Sequence, residues 1–155
     1  MHTIRLRGPW QLEPIEQYSR RNNGRYERSI APLISVQAKM PSDWEESLGD
    51  NFFGRVCYRR MFRKPTGLER RKRVWIVVEP PRSLGVVSLN EYCLGVVCYG
   101  AAAGRFDVTE LLQDHNWLDI LVAHPALDGT MTANEDSGTS LPGGLVGEVR
   151  LEIEE

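Results

Sequence analysis

Val149-Arg150-Leu151-Glu152-Ile153-Glu154 alternates apolar and charged residues at every step, the period of a strand with one face on a core and the other in water. The same pattern puts Ile34, Val36 and Ala38 on one face. It does so again for Leu118, Ile120 and Val122, between Asn116 and Pro125. Val74-Trp75-Ile76-Val77-Val78 is continuous instead; too short for a typical helix and rich in strand formers, it reads as a central strand covered on both faces. Further strands are expected near 3–7, 9–15, 55–63, 84–89 and 92–98, separated by Gly, Pro, Asn and Asp. Helix has little room. Thr109-Glu110-Leu111-Leu112 reads as a single turn, with Thr109 capping the free amides and the two leucines pointing inward. Short strands without helical patterning predict a sandwich or a barrel, the two ways such sheets bury one face.

Two stretches read as loops. Residues 16–31 carry Arg20, Arg21, Asn22, Asn23 and Gly24, and residues 126–144 are crowded with Gly, Ser, Thr, Asn and Asp. The second is long for a compact domain, which marks either a binding loop or disorder. At 155 residues the chain fits one domain, expected over 1–155, and needs no metal or disulfide to hold it. Its 41% hydrophobic and 26% charged residues are those of a globular protein, and a net charge of −2 gives no strong field. The N-terminus, Met1-His2-Thr3-Ile4-Arg5-Leu6-Arg7, lacks the apolar stretch of a secretory signal, and no apolar run approaches the ~20 residues of a membrane span. A soluble chain is expected, cytoplasmic by default or made without an export signal. Cys57, Cys93 and Cys98 form no CxxC pair, and the odd number points to buried free thiols rather than a disulfide framework.

The punctuation residues, taken in order, resemble the N-terminal sugar-binding domain of family 2 glycoside hydrolases, the β-galactosidase and β-glucuronidase family. Leu6-Arg7-Gly8-Pro9-Trp10 is similar to the family's opening L-x-G-x-W, and Pro41-Ser42-Asp43-Trp44 to its P-x-x-W. Phe53-Gly54-Arg55-Val56-Cys57-Tyr58-Arg59-Arg60-Met61-Phe62 with Pro65 resembles Y-x-G-x-x-W/F-Y-R-R-x-F followed by proline, the most specific segment. Val86-Val87-Ser88-Leu89-Asn90 with Gly95, then Phe106-Asp107-Val108-Thr109 with Leu111, Asn116-Trp117-Leu118, and Gly144-Leu145 before Val149-Arg150-Leu151 continue the order. Glu91 departs from the family's Asn-Gly. The resemblance spans nearly the whole chain and implies an all-β, antiparallel two-sheet jelly-roll sandwich of the galactose-binding type.

Each motif also has a structural reading. Trp10, Trp44, Tyr58 and Phe62 would supply core area, together with Val77, Leu89, Phe106, Leu118 and Ile120, and Gly54 and Gly95 would permit bulges or close backbone approach. Arg59 and Arg60 face opposite sides of their strand, which suits an ion pair or carbonyl clamp and a solvated charge. Asp107 suits an Asx-type turn with Thr109.

For chemistry, the resemblance implies a non-catalytic domain without cofactor or metal, because the family's two catalytic glutamates sit in a barrel and nothing of that barrel is present in this sequence. Glu148, Glu152, Glu154 and Glu155 read as a regular solvated edge, and Glu45-Glu46 follow a turn. His2, His115 and His124 are scattered. The family domain contributes hydroxyl contacts to a sugar, and the asparagine that commonly makes one in β-galactosidases matches Asp43, beside Trp44. A second acidic contact has no clean counterpart: Gly138 and Thr139 stand near its spacing, with Asp136 as a shifted candidate. The partner implied is a β-galactoside or glucuronide carbohydrate, with Trp75, Tyr92 and Trp117 as stacking candidates if they face outward. Alternatives are a protein-interaction sandwich that has lost sugar binding, consistent with the small apolar segment Val96 to Gly104, or the N-terminal part of a longer glycosidase. Nine basic residues between Arg55 and Arg73, including Arg70-Arg71-Lys72-Arg73, raise nucleic acid as a partner, but the slightly acidic total and the habit of basic hairpin tips to sit in solvent count against it. No membrane partner is expected.

Overall fold

The computed structural model describes residues 1–20, 26–28, 34–39, 54–68, 72–123 and 147–154. The smaller sheet holds β1 (His2–Arg5), β11 (Val149–Glu154), β6 (Arg73–Val78) and β9 (Gly104–Asp107), in that spatial order. The larger sheet runs β3 (Tyr26–Arg28), β2 (Trp10–Arg20), β5 (Gly54–Arg63), β10 (His115–Ala123), β7 (Leu84–Leu89), β8 (Tyr92–Cys98), and β4 (Val36–Ala38) pairs with β2. Every ladder is antiparallel. The result is an all-β sandwich, one of the two forms expected from the alternation, and the antiparallel two-sheet jelly roll that the resemblance implied. Among the described residues no helix is long and apolar enough to cross a membrane.

The core lies where the two inner faces meet. Val74, Ile76, Val78, Leu151 and Ile153 come from the smaller sheet, and Trp10, Leu12, Tyr58, Leu89, Leu118 and Ile120 from the larger. Each fully buried aliphatic side chain contributes about 1.5–3 kcal/mol relative to exposure. Of the expected core residues, Phe106 is only half-buried, and Trp44 lies outside the described residues. The Trp10 indole N–H donates to the Leu6 carbonyl at 2.7 Å, so its polar end is satisfied inside the core.

Two glycines are dictated by close approach. A Cβ on Gly54 would sit 1.8 Å from the Glu16 carbonyl oxygen, where β2 is bulged between Pro14 and Glu16. A Cβ on Gly95, at φ +154°, would meet the Phe106 ring at 2.8 Å. This is the bulge and close-approach role read from their places in the motifs.

Several expectations are corrected. Residues 16–31 are not simply a loop: β2 continues to Arg20 and folds back as β3, with Tyr18 opposite Arg28 and Arg20 opposite Tyr26. The extension is polar, so no apolar alternation announced it. β9 escaped notice because it is four residues long with one large apolar side chain. The carboxylates at 148, 152 and 154 are not at an edge, because β11 lies between β1 and β6. Nor are the thiols uniformly buried. Cys57 is half-buried and unpaired, and Cys93 and Cys98 are unpaired and exposed, because they lie on the outer face opposite Ser88 and Leu84. At the turn after β9, Asp107 takes the capping role assigned to Thr109: its Oδ1 accepts from the Thr109 N–H at 3.0 Å and from the Thr109 hydroxyl at 2.6 Å. The Thr109 Oγ1 in turn accepts from the Val74 N–H, at 3.0 Å.

Candidate functional site

The sandwich has two unlike ends. At one, the links are short and hydrogen-bonded. The carboxamide oxygen of buried Asn116 accepts from the Gln113 N–H at 2.8 Å and from Asn90 Nδ2 at 3.0 Å, while its Nδ2 donates to the Gln113 carbonyl at 2.8 Å. Asn90 Oδ1 accepts from the Trp117 N–H at 2.8 Å, and Asn90 and Glu91 form the tight β7–β8 turn at φ 50° and 72°. This end is clamped shut. The Asn90–Asn116 pairing was invisible in the sequence because the two asparagines are 26 residues apart.

The other end gathers the long segments. β5 begins at Gly54, β10 ends at Ala123, and Arg55 stands directly opposite Ala123 in their ladder. The segment carrying Asp43 and Trp44 therefore joins the fold beside the point where the segment carrying Asp136 leaves it. The three residues themselves lie outside the described residues. The link 79–83 joins β6 to β7 at this end, and Ser83 Oγ donates to the Ala123 carbonyl. Beside it, the Arg55 guanidinium donates to Glu16 Oε2, which also accepts from the Tyr18 hydroxyl at 2.8 Å. That carboxylate holds Arg55 still more firmly protonated than usual, against a smaller opposing effect of burial. Nothing in the residue spacing pointed to this cluster, because a bulge brings its members together.

The outer faces also differ. On the smaller sheet, Arg5 meets Glu148 at 2.9 Å, Arg150 meets Glu152 at 2.9 Å, Arg105 meets Glu152 at 3.4 Å and Arg73 meets Asp107 at 2.8 Å. The Trp75 ring lies under Arg105 at 3.9 Å, and its N–H donates to Glu154 at 2.9 Å. Val77, between Arg105 and Arg150 in register, is buried on this side. β6 is thus covered on both faces, outwardly by ion-paired side chains. Such pairs are individually worth ~0–1 kcal/mol, but they leave Trp75 committed.

The larger sheet's outer face is open. Arg59 pairs with Asp119 at 3.2 Å and lies 4.8 Å from the Trp117 ring, which is 45% exposed. Burial pushes the Asp119 carboxyl above its usual value, opposed by Arg59. Val86, Leu121 and Val96 follow as an exposed apolar row across β10, β7 and β8. Of the three stacking candidates, Trp117 and Tyr92 are exposed and Trp75 is engaged. Arg60 donates to the Pro9 carbonyl at 3.1 Å, so the adjacent arginines supply the ion pair and the carbonyl clamp together, with neither left as a merely solvated charge. The basic run from Arg70 to Arg73 joins the fold at the clamped end, and Arg73, Arg55 and Arg59 of the basic stretch are all ion-paired. Among the described residues, no three His, Cys, Asp or Glu side chains gather as a metal site would require.

No protein-family model matches the sequence, and neither does any curated protein. Solved structures do match in fold. The FMN-binding β-glucuronidase from Facaelibacterium prausnitzii L2-6 superposes with a TM-score of 0.65 at 23% identity, over 98% of this chain and 22% of its own. The Bifidobacterium dentium β-glucuronidase complexed with coumarin-3-O-glucuronide gives 0.67 at 21% identity, over 97% and 29%. The family 2 β-galacturonidase from Eisenbergiella tayi bound to galacturonate gives 0.66 at 14%, over 97% and 24%. The chain therefore has the fold of one part of these glycosidases and spans less than a third of their length.

Proposed function

We propose that this chain is a non-catalytic carbohydrate-contacting domain of the family 2 type, which reaches a β-galactoside or glucuronide through Asp43, Trp44 and Asp136. The observation that supports this reading is the likeness of the fold, over 97–98% of this chain, to one part of solved β-glucuronidases and a β-galacturonidase. Carboxylates accept hydrogen bonds from sugar hydroxyls, and an indole supplies an apolar face for the ring's C–H groups. The matched glycosidases, two of them bound to a glucuronide or galacturonate, support the ligand class. They are three to five times longer than this chain, so whatever catalysis they perform draws on much that this sequence does not contain.

Contacts from two segments alone give an affinity on the order of millimolar, about 4 kcal/mol. The test is a titration of methyl β-galactoside and a β-glucuronide followed by amide chemical shifts. Shifts centred on Asp43, Trp44 and the 124–146 segment, spreading to Arg55 and Ala123 and lost in Asp43→Ala, support the reading. Unmoved shifts at tens of millimolar sugar overturn it. A protein-interaction role is the second reading, favoured by the exposed apolar row on the larger sheet and the exposed alanines 101–103.

A further inference from the structure

We draw no further inference here: the strongest candidate, the exposed apolar row of Val86, Leu121 and Val96 beside Trp117 on the outer face of the larger sheet, carries none, because nothing in the structure shows what covers it.

Discussion

Replacing Asn116 by Leu isolates what the clamped end contributes. The two side chains branch alike with equal numbers of heavy atoms, so the substitution in this fully buried position opens no cavity, and the loss comes from hydrogen bonds with some crowding by the bulkier methyls. Three good ones disappear, from Gln113 N–H, from Asn90 Nδ2 and to the Gln113 carbonyl, with a longer one to Phe62 O at 3.4 Å. Gln113 is exposed, so water re-solvates part of what is lost. At about 1 kcal/mol per bond, with a partial offset from burying an apolar group, the expected cost is about 2–4 kcal/mol. That is a large share of the 5–15 kcal/mol typical of a domain, and for a chain of this size it lowers the melting temperature by roughly 10 °C. The assay is urea unfolding of the wild type, Asn116→Leu, Asn90→Gly and the double variant. Glycine is the neutral partner at residue 90 because φ there is +50°, so the cycle reports the side-chain coupling rather than turn strain. A loss below about 1 kcal/mol for Asn116→Leu, or strictly additive single variants, would refute the reasoning that the asparagine pair locks this end.

Thiol reactivity should separate the cysteines: in dilute native protein Cys93 and Cys98 react rapidly with a disulfide reagent, whereas burial pushes the Cys57 thiol up to about 11 and slows it, leaving a third group that appears only on denaturation. Equal native rates for all three would contradict the structure. Acid should destabilise the fold through Asp107 and Glu152, whose carboxyls are held below their ordinary values by the Thr109 hydroxyl and the Arg150 guanidinium respectively. Since the unfolded chain takes up these protons first, the stability they provide is complete above the ordinary carboxylate range of about 4 and drains away as pH falls through the lower folded-state values. Urea midpoints measured downward from pH 6 should fall in that window, less steeply in Asp107→Asn; an unchanged slope in that variant would count against the contribution.

What could be read from the residues follows the physics of burial. Leu118, Ile120, Leu151 and Ile153 alternate because one side of each strand faces the core, so their strands were legible. β3 and the far half of β2 are mostly polar in sequence and carry no such signature. The Asp107–Thr109 turn was legible as a local pattern, but which residue caps it depends on Val74, 35 positions away from Thr109. The candidate site was approachable only through the resemblance. Asp43, Trp44 and Asp136 have no periodicity to mark them, and they lie outside the described residues.

The pairing of the first strand with the last, His2 opposite Ile153 and Arg5 opposite Arg150, has a consequence for synthesis. On the ribosome β1 emerges before the other strands but finds its neighbour only when β11 leaves the exit tunnel. The larger sheet, whose last strand ends at Ala123, can assemble while the smaller one still lacks the β11 that joins β1 to β6. The inner face of the larger sheet then waits uncovered, and closure of the sandwich becomes the late event of folding, set by a contact between β1 and β11, strands that the rest of the sandwich separates in sequence.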